Sequence, residues 1–432
     1  MNSRPFLVAG FGLVAVLSSG ALAQGGGAAA APVDDPVQTI VARLDLEKYK
    51  ATIKGLTMFG DRRQGTKRNR DAVDWIEAQL KSYGCQNVER ITYQYPPPPT
   101  AAQLAAQAQR GAGAGAAGAG GGGAARGGGG GRGPAIGPVV GIVGSQGGSR
   151  LWGNRARTGV NNDSMAQTDP AIRAINMEPT TPGERQQVMC TKVGTTRPDE
   201  MYIVGGHMDG HGWGQAANDD GSGTAIVMEL ARILSMPDVQ TERSIRFALW
   251  NNEETGLNGA QAYVTQRGPM QGKENPAGSG KYPEPKWLGM IQHDMMLWDH
   301  GMPRADGTIN PEQRPEADVN IEFQSTSKMA DSSMKLAFFF HGANRKYATD
   351  YPATVGPHMT NTDSGPFMDL IAAISLRENE RGAHIGAGWD PNWHQPSDVF
   401  TTYSDKDFRL GLNAAQTTMG AIGTLTGVKV RK

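Results

Sequence analysis

The sequence predicts an α/β domain of three layers, with a mixed, mostly parallel central sheet and helices on both faces. Apolar strands alternate with amphipathic helices along much of the 432 residues, which is typical of a sheet whose strands are joined through helices. Polar residues with the chemistry of ligands follow several of these strands. Sites in open α/β sheets form beyond the carboxyl ends of the strands, so these residues are expected to meet.

The first elements are two helices and a strand. Apolar residues recur at about helical spacing from Val41 to Ile53, and a second amphipathic helix is predicted over 67–83. Residues 88–95 alternate as in a strand, which four prolines then end.

Strands and helices alternate in the second half. The predicted strands are 186–193, 201–206, 245–250, 287–293, 319–323 and 371–376. The predicted helices are 224–234, 257–266, 329–344 and a final one near 406–425. We therefore expect one domain to span 41–432.

Three segments are predicted to lie outside this core. Residues 1–23 combine one basic residue, a short apolar run and a small-residue site, and they are interpreted as a signal peptide cleaved after Ala23. Residues 24–40 are predicted to be a disordered leader, and about 96–138 a flexible low-complexity insertion, since 14 of the 59 glycines fall in 111–133. We expect export to the periplasm or the medium, with no membrane contact after cleavage.

The overall charge and the cysteine count exclude several classes of protein. Lys and Arg number 42 and so do Asp and Glu, so no global positive field draws in nucleic acid. Two cysteines exclude a disulfide-dense scaffold and a thiolate metal cluster. If the strands at 88–95 and 186–193 pair as a hairpin, extended geometry places Cys85 about 17 Å from Cys190, which predicts two free thiols.

Five clusters of nitrogen and carboxylate donors follow predicted strands. They contain His207, Asp209, Asp219, Glu253, Glu254, Asp294 and His394. Donors of this kind, without thiolates, suit zinc, and their number exceeds the three protein ligands of a usual mononuclear catalytic site. A carboxylate shared between two ions would accommodate them.

The segments GGHMDG, ANDDGSGTA, NNEETGLNGA, QHDMM, NTDSGPF and WHQPSD together resemble the co-catalytic dizinc exopeptidases of peptidase clan MH. That group includes secreted bacterial aminopeptidases, glutamate carboxypeptidases and, as relatives, glutaminyl cyclases. The resemblance covers most of residues 41–425. It implies a peptide-hydrolysing enzyme that binds two Zn²⁺ ions per chain.

The resemblance also implies a role for each residue of the clusters. His207 and Asp294 would bind one ion, Glu254 and His394 the other, and Asp219 both. Asp209 would orient His207. Glu253 would be the general base that takes a proton from water and returns it to the leaving amine. A cis peptide between Asp219 and Asp220 is implied as well.

Two positions depart from the family pattern. Trp393 stands where a Tyr is often found, so a hydroxyl that could stabilise the oxyanion is missing. The NTDSGPF segment lacks a frequent His, which leaves Asp363 either as a supporting residue or as a helix cap.

Three further residues are interpreted as structural. His211 is expected to be a solvated loop histidine, His293 to point to the opposite face of its strand from Asp294, and Arg377 to join a local ion-pair network with Glu378 and Glu380 rather than to hold a substrate carboxylate.

The sequence thus predicts an exported, zinc-dependent exopeptidase acting on peptides, with aminopeptidase action favoured. A carboxypeptidase or dipeptidase of the same fold is the first alternative. A glutaminyl cyclase-like acyltransferase and an inactive binding domain are weaker ones, because every ligand and the base are present. Sequence alone leaves the oligomeric state open.

Overall fold

The fold is a mixed sheet covered by helices on both faces. A computed structural model of the chain describes residues 35–96, 141–142, 154–155, 160–301, 308, 310–359, 361–378 and 390–431. The helices are α1 (Pro36–Val41), α2 (Leu46–Thr57), α3 (Lys67–Ser82), α4 (Pro170–Asn176), α5 (Gly221–Leu234), α6 (Asn258–Arg267), α7 (Ala330–Tyr347) and α8 (Asp405–Leu425). The strands are β1 (Glu89–Tyr95), β2 (Gly141–Ile142), β3 (Asn154–Arg155), β4 (Gly183–Lys192), β5 (Arg197–His207), β6 (Val239–Gln240), β7 (Arg243–Trp250), β8 (Lys286–His293), β9 (Val319–Phe323), β10 (Ala353–Gly356), β11 (Ala372–Arg377) and β12 (Lys429–Val430).

Eight strands form the main sheet in the order β1-β4-β7-β5-β8-β11-β9-β10. The pairs β7/β5, β5/β8, β8/β11 and β9/β10 are parallel, whereas β1/β4, β4/β7 and β11/β9 are antiparallel. The prediction of a mixed, mostly parallel sheet is therefore confirmed. Since β7, β5, β8 and β11 run in one direction, their carboxyl ends lie at one edge.

Both faces of the sheet are buried. Val204, Phe247 and Ile291 point to a large core that also receives α1, α2, α3, α5, α7 and α8. Their strand neighbours Ile203 and Met290 point to a smaller core on the opposite face, which includes residues of α6. Because both faces are buried, the central strands are apolar along their whole length instead of at every second position only.

Local chemistry fixes where α5 begins beside the end of β5. The carboxylate of Asp220 accepts the backbone N–H of Gly223 at 2.8 Å, which caps the helix. Gly206 approaches the backbone of Gly223 so closely that a Cβ on it would lie 2.8 Å from the Gly223 carbonyl carbon. A side chain at Gly206 would therefore push the helix away from the strand.

The structure differs from the predicted elements at several places. Helix α1 begins at Pro36, so the predicted disordered leader to residue 40 is wrong for its last five residues, and Ile40 and Val41 are buried. Strands β2, β3, β6, β10 and β12 and helix α4 were not predicted. All six are short, at 2 to 7 residues, so none carries a readable period.

The prediction of two free thiols is wrong, because Cys85 and Cys190 form a disulfide with Cα atoms 6.0 Å apart. The predicted pairing of β1 with β4 is correct, with Glu89 opposite Met189. The error lies in the assumption of an extended chain before β1. Asn87 has a left-handed backbone with φ 48°, and this turn brings Cys85 back towards β4.

The predicted signal peptide, most of the leader and nearly all of the predicted insertion lie outside the described residues. None of the helices in the described part of the chain is long and apolar enough to cross a membrane. The described residues from Pro36 onwards cluster as one compact unit.

Candidate metal centre and active site

The ligand-type residues meet at the carboxyl edge of the parallel strands. His207 is the last residue of β5 and pairs with Trp250, the last residue of β7, which leads into Glu253 and Glu254. Asp294 follows β8, the neighbour of β5 on its other side. Adjacent parallel strands therefore place these side chains together, as the sequence predicted.

His207 is held from both sides. Its backbone N–H donates to Asp220 at 2.9 Å. Its ring Nδ1 lies 3.0 Å from the backbone carbonyl of Asp209, whereas the Asp209 carboxylate is 3.9 Å away. The chain turns directly after β5, so the carbonyl of Asp209 rather than its predicted carboxylate orients the imidazole. Nε2 of His207, on the other side of the ring, faces the carboxylate of Asp219 in the cleft.

The carboxylate of Asp219 lies between two imidazoles. Its Oδ1 is 3.3 Å from Nε2 of His207 and its Oδ2 is 2.9 Å from Nε2 of His394. The peptide bond to Asp220 is cis, as the resemblance implied. Burial raises the pKa of Asp219, but the two imidazoles outweigh burial and hold the pKa below its ordinary value. This is the position that a bridging carboxylate requires.

Asp294 is shared between an arginine and the cleft. Its Oδ2 lies 2.9 Å from Nη2 of Arg377, and its Oδ1 faces Nε2 of His207 at 3.9 Å. Nε of Arg377 also lies 3.4 Å from Glu322. Arg377 is fully buried and takes part in an ion-pair network as predicted, but its ion-pair partners among the described residues are Asp294 and Glu322 rather than Glu378. Glu380, the other predicted partner, lies outside the described residues.

Glu254 and His394 form the other half of the centre, and His211 joins them. Nε2 of His394 is 3.0 Å from Oε2 of Glu254, and Nε2 of His211 is 2.9 Å from the same oxygen. Burial raises the pKa of Glu254, but the two histidines outweigh it and lower the pKa to about 2. The prediction that His211 is a solvated loop residue is wrong, because its Nε2 is buried against Glu254.

Glu253 is buried next to these groups. Its backbone N–H donates to the carboxylate of Asp209 at 3.1 Å. Burial raises the pKa of Glu253 well above its usual range; the nearby His207 opposes this rise and neighbouring carboxylates add to it. A carboxylate with a raised pKa is a better proton acceptor, which suits a general base.

The donor set fits divalent cations. Donor atoms of His207, Glu253 and Asp294, of His207, Asp219 and Glu254, and of His211, Glu254 and His394 each lie within 4.8 Å of one another. Two donors bound tetrahedrally to one zinc ion at about 2.1 Å are roughly 3.4 Å apart. Oε1 of Glu254 is buried without a hydrogen-bond partner, and a cation would satisfy it.

Backbone strain is concentrated around the same groups. Asn252, Met295 and His394 have left-handed backbones with φ between 59° and 66°, although none is a glycine. Such residues cost of the order of 1 kcal/mol each and cluster at functional sites. Each lies next to a candidate ligand or the candidate base, or is itself one.

The side chains open into a small cleft of about 130 Å³. Its lining residues are His207, Asp219, Glu253, Glu254, Gly256, Asp294, Asn361, Trp393 and His394. No lysine or arginine occurs among these described lining residues. Trp393 thus borders the cleft, and its indole N–H is the only donor it offers in place of the hydroxyl common in the family.

Several supporting residues were missed or left open by the sequence. The carboxylate of Asp398 accepts the backbone N–H groups of Asn218 and Asp219 at 2.8 and 3.1 Å, which aims Asp219 at the histidines. Asn218 donates its side-chain amide to Glu378 at 2.7 Å. Asp398 belongs to the motif WHQPSD and Asn218 to the motif ANDDGSGTA. Their position in these motifs is the sequence signal that could have identified them as supporting residues.

Asp363 lies behind the cleft instead of capping a helix. It is fully buried, and its Oδ2 accepts a long bond from Gln292 at 3.5 Å. Burial raises the pKa of Asp363 well above its usual range. It does not line the cleft, so the structure favours a supporting position.

Comparison with known proteins gives the family. The sequence profile of peptidase family M28 matches residues 187–416, which include each of the seven predicted site residues. The chain belongs to peptidase family M28. This family consists of metallo-exopeptidases, enzymes of the hydrolase class.

Relatives of this M28 chain include both aminopeptidases and carboxypeptidases. Aminopeptidase YwaD of Bacillus subtilis is 40% identical over 67 residues, which are 16% of this chain and 14% of that protein. Carboxypeptidase Q of Xenopus laevis is 38% identical over 71 residues, 16% of this chain and 15% of that protein. The chain thus spans about one seventh of the length of these curated relatives.

Solved structures show the same fold over nearly the whole chain. An aminopeptidase from Aneurinibacillus sp. strain AM-1 has a TM-score of 0.54 at 18% identity, covering 90% of this chain and 96% of that one. Glutaminyl cyclase of Porphyromonas gingivalis has a TM-score of 0.50 at 15% identity, with 88% and 99% covered. At these identities the likeness concerns the fold alone.

Proposed function

We propose that this M28 chain is an exported aminopeptidase that uses two zinc ions and Glu253 as its general base. The observation that carries the proposal is the convergence of nitrogen and carboxylate donors beside a buried glutamate in one cleft. His207 and Asp294 would hold one cation, Glu254 and His394 the other, and Asp219 both. Two bound zinc ions supply Lewis acidity for the scissile carbonyl and for the attacking water.

The chain's own residues perform the proton transfers. Glu253 accepts a proton from the attacking water and returns it to the leaving amine. Asp209 restrains both His207 and Glu253. Its carbonyl lies against the ring of His207, and its carboxylate accepts the backbone N–H of Glu253. Asp398 and Arg377 position Asp219 and Asp294 in the same way.

The described lining of the cleft supplies no side chain that would hold the free carboxylate of a peptide. Four carboxylates line the cleft, and two divalent cations would balance their charge. A peptide's terminal carboxylate would need a cationic side chain, and the described lining supplies none. Arg377 pairs with Asp294 and Glu322 and is not among the described residues that line the cleft.

The test couples metal analysis to a matched set of peptides. We expect about two zinc ions per chain and release of the first residue from a free peptide. The N-acetylated twin should resist cleavage, and the C-amidated twin should be cleaved equally well. If the acetylated twin is cleaved and C-amidation abolishes that cleavage, the enzyme is a carboxypeptidase instead. The match to carboxypeptidase Q favours this alternative.

The same panel tests the glutaminyl cyclase alternative, which rests on the shared fold. A peptide that begins with glutamine would then lose ammonia without becoming shorter. The presence of donors for two cations argues against this chemistry.

Two features support the proposed export, namely the signal-peptide pattern of the first 23 residues and the disulfide. A bond between Cys85 and Cys190 suits an oxidising compartment. Sequencing the amino terminus of the protein from its native host should begin at Gln24. An intact Met1 in the mature protein would contradict signal cleavage.

A further inference from the structure

His211 is an additional buried donor in the candidate centre. Its Nε2 is 2.9 Å from Oε2 of Glu254, and its ring meets that of His394 edge to face with centroids 4.1 Å apart. Its side chain is 16% exposed. Although Nε2 is buried, it has no hydrogen bond of acceptable geometry in the described structure. It is close to the carboxylate oxygen without being aligned to donate a proton to it.

The loop that carries His211 is fixed rather than free. Gly212 has φ 99°, and a Cβ on it would lie 2.3 Å from the carbonyl carbon of His394. The side chain of Gln167 binds the carbonyl of Trp213 at 2.8 Å, and that of Asn176 binds Gly214 at 2.7 Å. Because the loop is packed against the backbone of His394, the ring of His211 is held at the centre.

Donor distances match those of a shared cation. His211, Glu254 and His394 each offer one donor atom within 4.8 Å of the other two. The 2.9 Å and 3.0 Å contacts of Glu254 with the two imidazoles are close to the roughly 3.4 Å expected for ligands of one zinc ion. Hence His211 stands in the same relation to Glu254 as His394 does.

We propose that His211 is a direct ligand of the cation held by Glu254 and His394. This inference rests on the proposed metal centre and adds a ligand to it. One site then has two imidazole nitrogens with the carboxylates of Glu254 and Asp219, whereas the other has one imidazole with the carboxylates of Asp219 and Asp294. Nitrogen donors favour zinc over calcium, magnesium and manganese, so the His211 site retains zinc more firmly.

The experiment compares zinc retention in the wild-type protein, His211→Ala and His211→Gln. Each protein is loaded with zinc and dialysed against a graded series of chelator, and the metal content is measured. The wild type should keep one ion beyond the chelator concentration that removes the other. In both variants the firmly held ion should be lost at least about tenfold more readily, since even an outer neighbour of a ligand contributes that much.

The glutamine variant separates ligation from hydrogen bonding. Its amide can donate to Glu254 but is a poor zinc ligand, so a merely positioning role would restore wild-type retention in His211→Gln. Cobalt(II) substitution gives an independent readout, because loss of a nitrogen ligand changes the visible absorption. The exposed His358→Ala is the matched control, and the near-ultraviolet circular dichroism of each variant verifies folding.

The outcomes are distinguishable. Wild-type retention and an unchanged cobalt spectrum in folded His211→Ala would overturn the ligand assignment while leaving the aminopeptidase proposal intact. Restoration in His211→Gln would also overturn it and assign a positioning role. A wild-type protein that binds no zinc or cobalt would overturn both proposals.

Discussion

Glu253 and Glu254 are neighbours in sequence with opposite electrostatic surroundings. Burial raises the pKa of Glu253 well above its usual range, whereas His211 and His394 outweigh burial and lower the pKa of Glu254 to about 2. Two carboxylates whose pKa values are pushed apart take different roles. The one with the raised pKa suits proton transfer, and the one paired with histidines suits cation binding.

The first prediction concerns Glu253. Glu253→Gln should retain both zinc ions but lower kcat by about 10²- to 10⁴-fold, the usual contribution of a general base. Steady-state kinetics and metal analysis on the same preparation measure both effects. The exposed Glu316→Gln is the control. Turnover near the wild-type value in Glu253→Gln would show that another group takes the proton.

Asp219 should behave differently, because it faces both histidine sites. Asp219→Ala is expected to lose most of the bound zinc and, with it, activity. Metal content after gel filtration tests this, with the exposed Asp199→Ala as control. Two retained ions in Asp219→Ala would exclude the bridging role.

At the scale of elements, His293 connects β8 with β5 and α8. Its Nδ1 lies 3.2 Å from the carbonyl of Gly205 and its Nε2 is 2.8 Å from the hydroxyl of Thr418. It therefore points away from the cleft, as strand alternation predicted. Burial lowers the pKa of His293 to about 4, although the hydrogen bond to the carbonyl of Gly205 raises it.

This depressed pKa predicts a pH-dependent stability. Between about pH 6.5 and pH 4 the unfolded chain binds the proton and the folded chain does not, so stability falls as the pH falls. Lowering the pH from 7 to 5 should therefore reduce the free energy of unfolding by about 2 kcal/mol through His293. Urea unfolding of the metal-free protein in chelator measures it.

His293→Gln should remove that part of the pH dependence, because an amide does not titrate. Its unfolding free energy should then fall by about 2 kcal/mol less than that of the wild type over the same interval. His341→Gln serves as the control. An identical fall in His293→Gln and in the wild type would mean that other groups cause the acid sensitivity.

At the scale of the whole molecule, the disulfide joins the segment after α3 to β4 across 105 residues. Closing so long a loop restricts the unfolded chain. Replacing both cysteines by serine should lower the free energy of unfolding by about 2–5 kcal/mol, measured by urea denaturation with and without reductant. Reductant should affect only the wild type.

Alkylation checks the bond itself. The denatured wild-type protein should gain no mass from an alkylating reagent unless it is first reduced. Modification of two cysteines without reductant would restore the free-thiol prediction and remove this support for an oxidising compartment.

Local patterns in the sequence predicted most of the fold and indicated the candidate ligands. Strand and helix periods indicated the strands β4, β5, β7, β8, β9 and β11 and the helices α5, α6, α7 and α8. Placing donors after strands led to the candidates His207, Glu254 and Asp294. Short elements such as α4 and β10 escaped because they span too few residues for a period to be read. The exact atom that orients His207 also escaped, since it depends on how the chain turns after β5.

The sequence by itself determined which residue types follow each strand, because burial imposes apolar periods and leaves polar residues at strand ends. Only the tertiary structure decided which of these residues face one another. It placed His211 against Glu254, paired Arg377 with Asp294, and joined Cys85 to Cys190. Those contacts depend on loop turns such as the left-handed Asn87 and the close approach at Gly212, and turns of single residues leave no periodic signal in a sequence.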